Sequence, residues 1–154
     1  SIARRMIADY GPILRGGSAA GATGPFMSIS TVAVREACAL DGVLLFSYGL
    51  CASETKSAGS WFGWYADNGR IGLCWHDGSA ETSRPTVFSV EVGVGVVITV
   101  EKTTSQIRML INGSVVDSAP VVKFSTRSYT GPGIFVSSAI YNEAWRFSAV
   151  EVAS

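Results

Sequence analysis

The chain has 154 residues, 47% of them apolar and only 16% charged, with 12 basic residues against 12 acidic ones. Such a chain can bury enough apolar surface to offset the entropy of ordering, so disorder along its whole length is excluded and one domain with a proper core is expected. Balanced charge, with no Lys/Arg cluster beyond Arg4-Arg5, argues against a nucleic-acid partner, and no apolar run reaches the ~18 residues of a membrane-spanning helix, so no membrane insertion is expected.

Taken in order, Ser1–Tyr10 reads as a short helix with Ile2, Ala3, Met6 and Ile7 on one face, stopped by Gly11-Pro12, or as an irregular arm. Arg15–Gly24 is a flexible loop by composition. Residues 1–24 are therefore read as an arm or linker and 25–154 as the domain. From Phe26 onward the pattern is that of strands. Phe26–Ala37 alternates apolar with Ser and Thr, Leu40-Asp41-Gly42 turns, and Val43–Leu50 is so apolar that it belongs inside its sheet. A polar loop, Cys51–Gly59, precedes the aromatic strand Trp61–Tyr65. Asp67-Asn68-Gly69 turns this strand into Arg70–Trp75. Asp77–Pro85 reads as a loop, with Pro85 at a strand start or edge, followed by a strand over Thr86–Val92.

The firmest stretch is Val96–Val116, VVITVEKTTSQIRMLINGSVV, two adjoining hairpins. Its β-branched residues favour the pleated surface of a strand, and Asn112-Gly113 suits a type I′ turn, whose two central residues need positive φ. Ala119–Phe124, Ile134–Ile140 and Trp145–Val152 complete the set. Roughly ten or eleven strands at intervals of about ten residues, with no internal helix, signal an all-β sandwich or barrel.

Cys38, Cys51 and Cys74 are an odd number without metal-site spacing, and His76 is the single histidine. A Cys/His zinc site is not supported, at most one disulfide can form within the chain, and three buried thiols are expected.

The order of the motifs Gly42–Gly49 (GVLLFSYG), Trp61–Trp75 (WFGWYADNGRIGLCW), the Val96–Val116 double hairpin and Phe147–Val152 (FSAVEV) resembles the concanavalin A-like jelly roll, and within it the laminin-G-type domain. The resemblance covers Pro25–Val152 and implies a two-sheet antiparallel jelly-roll sandwich. It also has departures. The galectin pattern His-x-Asn-Pro-Arg is absent around His76, the laminin-type C-terminal cysteine pair is missing, and no Glu-x-Asp-x-x-Glu strand of the glycoside hydrolases on this fold is present.

Glycosidic hydrolysis needs two carboxylates across a cleft, whereas Glu36, Glu54, Glu81, Glu91, Glu101, Glu143 and Glu151 are spread singly. No Gly-x-Ser-x-Gly elbow occurs, so a hydrolase is the outsider and a non-catalytic role is expected. The densest site-like stretch is Trp61–Asp77. Sugars offer apolar C–H faces and hydroxyls, matched by flat aromatics beside Asp, Asn and Arg. The candidate ligand-binding residues are Trp61, Trp64, Tyr65, Asn68, Arg70, Trp75 and His76. Alternation sets Trp61, Gly63 and Tyr65 on one face and Phe62, Trp64 and Ala66 on the other, so at least one row fills the core. Most of these aromatics suit the core, and Trp64 and Trp75 stand between the two roles.

The oxygen ligands of Asp67, Asn68, Asp77 and Asn142 suit calcium, and laminin-G-type domains hold calcium at a sandwich rim. By that analogy Asp67 and Asp77 are candidate metal ligands; turn chemistry is the competing account. Asn112-Gly113-Ser114 also matches a glycosylation sequon, but the tight turn accounts for it. The reading is a recognition module for a glycan or cell-surface protein, in an extracellular or virion-surface setting suggested by the 17 glycines and abundant Ser and Thr. The alternative is a structural domain that forms homo-oligomers through a sheet face or the N-terminal arm. The start at Ser1 without Met or signal-peptide pattern fits a processed chain or an excised domain.

Overall fold

The structure is a computed structural model that describes residues 26–36, 45–51, 61–77, 80–103, 105–120, 131–136 and 145–153. The expectations for the N-terminal arm, the Leu40-Asp41-Gly42 turn, Cys38 and Asn142 lie outside these residues. Eleven strands run through the described residues: β1 (Met27–Arg35), β2 (Leu45–Cys51), β3 (Trp61–Asp67), β4 (Arg70–His76), β5 (Glu81–Ser83), β6 (Phe88–Ser89), β7 (Gly95–Lys102), β8 (Gln106–Ile111), β9 (Ser114–Pro120), β10 (Gly131–Val136) and β11 (Trp145–Ala153). They form two sheets of antiparallel strands, β11-β1-β7-β8-β9 and β10-β2-β3-β4-β5, with β6 also paired to β4. The apolar β2 lies inside its sheet, between β10 and β3.

Period-two patterning decides which faces meet. Met27, Ile29 and Ala33 of β1, Val96, Ile98 and Val100 of β7, and Ile107, Met109 and Ile111 of β8 point inward. Phe62, Trp64 and Ala66 of β3 and Ile71, Leu73 and Trp75 of β4 meet them from the other sheet. Trp64 packs across the sandwich on β11, with ring centroids 5.9 Å from Trp145 and 6.0 Å from Phe147. Buried aromatics of this size supply a large share of the apolar area removed from water. Lys102 continues the inward row of β7 and is fully buried, and burial lowers its pKa.

Three irregularities shape the strands. Between β1 and β11, Ser30 pairs with Glu151 and Val32 with Ser148, so β11 carries one extra residue. Ala149 there adopts φ +50°, and the Thr31 hydroxyl donates to Ser148 O at 2.9 Å. In β9, Met109 pairs with Asp117 but Leu110 with Val115, which makes Val116 a bulge. β9 therefore runs unbroken from Ser114 to Pro120, where the sequence reads as a return strand followed by a separate one from Ala119.

The third irregularity corrects two expectations. The expected loop Asp77–Pro85 contains β5, and the expected strand Thr86–Val92 shrinks to the two residues of β6. Cys74 pairs with Ser83 and Ile71 with Phe88, so three steps along β4 face five on its partner. One edge strand is thus split by a two-residue bulge. Pro85 sits in it, where its missing N–H costs no ladder bond. Arg84 N donates to Leu73 O and Val87 N to Ile71 O, each at 2.8 Å, and these bonds hold the two flanks.

At this same edge the two sheets are clipped together. Arg84 Nε donates to Asp117 Oδ2 at 2.9 Å, and a second guanidinium nitrogen donates to Oδ1 at 3.1 Å. The fork geometry is the strong, directional form of the Arg–carboxylate pair.

Candidate functional site

The β3–β4 hairpin carries all the candidate residues but Asp77, which follows β4 directly. Its turn is type I′, with Asn68 at φ 50° and Gly69 at φ 81°. A side chain at position 69 would collide with the Arg35 guanidinium. Arg35 donates to Val90 O at 3.2 Å, and Val90 N to Gly69 O at 2.8 Å, so the hairpin tip is anchored to the sandwich end.

The hairpin divides the candidates into three groups. Trp64 and Trp75 face the core, at 1% and 8% exposure, where they cannot meet a ligand in this fold. Trp61 and His76 pair directly across the ladder on the outer face, but both are buried, and Trp61 packs with Cys74 and Tyr65. Tyr65, Asp67 and Arg70 occupy the outer face at the turn end, with Asn68 at the tip; Asp67, Asn68 and Arg70 are exposed and Tyr65 is half-buried. Six residues separate Arg70 from His76 along β4, about 20 Å at ~3.3 Å per residue. The structure therefore does not bring the candidates into one site.

The same separation keeps Asp67 and Asp77 from sharing an ion. Asp77 Oδ1 instead accepts from Ala80 N at 2.9 Å in the β4–β5 turn. Among the described residues, no three His, Cys, Asp or Glu side chains converge as a metal site. Cys74 is fully buried. β3 lies between it and Cys51 on β2, with an offset of two residues along the strands, so their Cα atoms are about 12 Å apart, beyond the ~7 Å reach of a disulfide.

At the turn end the arrangement is compact. Tyr65 faces Gly72 and Asp67 faces Arg70 across the ladder. A Cβ on Gly72 would lie 2.9 Å from the Tyr65 ring, 2.9 Å from Pro85 O and 3.0 Å from Arg84 O. The ring thus lies across Gly72, beneath the bulge, and Tyr65 OH donates to Arg84 O at 2.5 Å. Burial raises the Tyr65 pKa, with Cys74 and then Asp67 adding to the effect, so the phenol remains a protonated donor near neutral pH. Arg70 Nε donates to Thr86 Oγ1 at 3.3 Å. Sequence reasoning missed Thr86, because the bulge that carries it over the face leaves no periodic trace.

The result is an open patch with a half-buried aromatic ring, a carboxylate and a guanidinium on neighbouring rungs, and a hydroxyl reaching them from the bulge. A separate groove of about 300 Å³ at the β8–β9 edge is lined by Ser105, Gln106, Ser118, Ala119 and Pro120. It offers neither aromatic ring nor charge among these residues.

A carbohydrate-binding module from Bacillus subtilis (CBM66) superposes with a TM-score of 0.60 at 11% identity, over 86% of this chain and 78% of that one. Sheep galectin-11, solved in complex with glycerol, gives 0.56 at 8% identity, over 86% and 94%. The fold is a two-sheet antiparallel jelly roll. The receptor-binding domain of botulinum neurotoxin D also matches this jelly roll, with a TM-score of 0.60 at 13% identity, over 89% of this chain but only 35% of that one. No protein-family model and no curated protein matches the chain in sequence. On the jelly roll, the Tyr65–Arg70 patch lies on the outer face of the β10-β2-β3-β4-β5 sheet, at one end of its strands.

Proposed function

We propose that this chain is a non-catalytic carbohydrate-recognition module of an extracellular or surface protein, which binds glycan at Tyr65, Asp67, Arg70 and Thr86. The observation that carries the reading is the placement of Tyr65, Asp67 and Arg70 together at the turn end of one sheet face, with the Thr86 hydroxyl brought to Arg70 by the bulge. An aromatic ring offers an apolar platform for sugar C–H groups. Asp67 accepts from a hydroxyl pair, while Arg70 and Thr86 supply donors. The jelly-roll neighbours support the reading, since they include a carbohydrate-binding module and a botulinum neurotoxin D domain in complex with N-acetylneuraminic acid.

A second reading, self-association, is favoured by the outer face of the β11-β1-β7-β8-β9 sheet. Val97 of β7 and Val115 of β9 are large apolar side chains left 38% and 51% exposed there, surface that a second copy could cover. A glycan array on the purified chain decides between the two, followed by titration of Tyr65→Ala and Arg70→Ala. We expect a glycan hit whose affinity falls about 10-fold or more in each variant, the scale of one charge-assisted or stacking contact. A blank array together with a mass that rises with concentration in light scattering would move the assignment to assembly.

A further inference from the structure

The patch is held by the bulge at its border. Tyr65 is fixed by the backbone carbonyl of Arg84, and Arg70 by the hydroxyl of Thr86. Both of these partners sit in the bulge between β5 and β6, where the chain leaves the regular ladder. Gly72 admits the bulge by having no side chain, and the Arg84 and Val87 amides pin its flanks. What fixes the Arg84 side is the guanidinium fork on Asp117, which comes from the opposite sheet. The Asp117 carboxylate is only 11% exposed while Arg84 is 39% exposed, so the anchor is largely enclosed and the arm it holds is open. The Val116 bulge in β9 sets Asp117 in place opposite Met109.

We propose that Arg84 and Asp117 are positioning residues: their clip between the two sheets sets the bulge at the depth that orients Tyr65 and Arg70 for ligand. The proposal rests on the carbohydrate reading for its consequence, but the geometric part stands by itself. A Lys cannot reproduce the fork, because its ammonium is a single point donor.

The test uses the full chain with ¹³C-labelled tyrosine, in which the Tyr65 signal is assigned among the five tyrosines by Tyr65→Phe. In Asp117→Asn we expect the Tyr65 phenol to titrate at lower pH than in the parent, because the loosened bulge uncovers it. We also expect affinity for the glycan found on the array to fall about 10-fold, the scale of losing one charge-assisted bond. Arg84→Lys should fall between Asp117→Asn and the parent in both readouts, and it serves as the second variant if Asp117→Asn does not fold. Arg108→Ala breaks the Arg108–Glu101 pair elsewhere on the opposite sheet and should move neither readout, which separates positioning from general loss of stability. An unchanged Tyr65 titration in both clip variants overturns the proposal, whether or not glycan binds. A normal Tyr65 response in a chain that binds no glycan upholds the clip and removes the carbohydrate reading alone.

Discussion

Ala149 sits at φ +50° in β11, at the point where the ladder to β1 carries one residue too many. The left-handed region costs a residue with a Cβ roughly 1–2 kcal/mol. Among the described residues the other two non-glycine residues with positive φ are Asn68 and Asn112, whose side chains tolerate it. Asn112 also has a task there, since its Oδ1 accepts from Val97 N at 2.9 Å. Ala149 has no such compensation, and it is exposed. Glycine loses about 0.5–1 kcal/mol of entropy relative to alanine on folding, so Ala149→Gly should raise stability by about 0.5–1 kcal/mol. Urea unfolding measures this against Ala153→Gly, an exposed β11 position with ordinary backbone, where the same change should lower stability. A lower midpoint for Ala149→Gly would mean that the bulge does not set the backbone as described.

At the scale of elements, Gly72 is the position on which the β4–β5–β6 edge depends. Its missing side chain leaves room for Arg84 O, Pro85 O and the Tyr65 ring, and two of these neighbours are backbone that cannot rotate away. Gly72→Ala should therefore destabilise by about 1–3 kcal/mol, the usual cost of overpacking, and shift the Tyr65 and Thr86 resonances more than those of β8. A change in stability without movement of Thr86 would refute the link between Gly72 and the bulge. Much of this edge could not be read from the chain. Asn68-Gly69 and Asn112-Gly113 announce their turns because positive φ restricts residue choice locally, and period-two alternation put Tyr65 on the face opposite Trp64. Arg84–Val87 has no such marker: whether Pro85 begins a strand or splits one depends on Gly72, twelve or more residues earlier. The alternation likewise showed that Trp61 and Trp64 part company, but not which row meets the other sheet. That choice is made by Trp145 and Phe147, which belong to the far end of the chain.

The whole molecule joins two sheets whose contact is apolar along one side and ionic at one edge, with a lysine inside. Lys102 is wholly buried, and burial lowers its pKa. The unfolded chain keeps this proton to about pH 10.4, while the folded chain releases it earlier. Between the lowered value and about pH 10.4 the unfolded state binds more protons, so stability rises with pH. Below the lowered value both states are protonated and the penalty is present in full. Urea midpoints followed from pH 7 to 10.5 should climb for the parent relative to Lys102→Met; parallel curves would show that burial does not govern this group. The raised Tyr65 phenol acts with the opposite sign above about pH 10, but it does so in both chains and cancels in the comparison. Val116 has a meaning at this scale too. Among the described residues β9 is the last strand of its sheet, and a straight terminal strand is a template on which a neighbouring chain can add itself without limit. With one residue inserted midway and Pro120 lacking an amide hydrogen at its end, β9 offers an incoming strand no continuous run of evenly spaced donors and acceptors. The kink that aims Asp117 at Arg84 is therefore also what stops the sheet from growing past the boundary of the molecule.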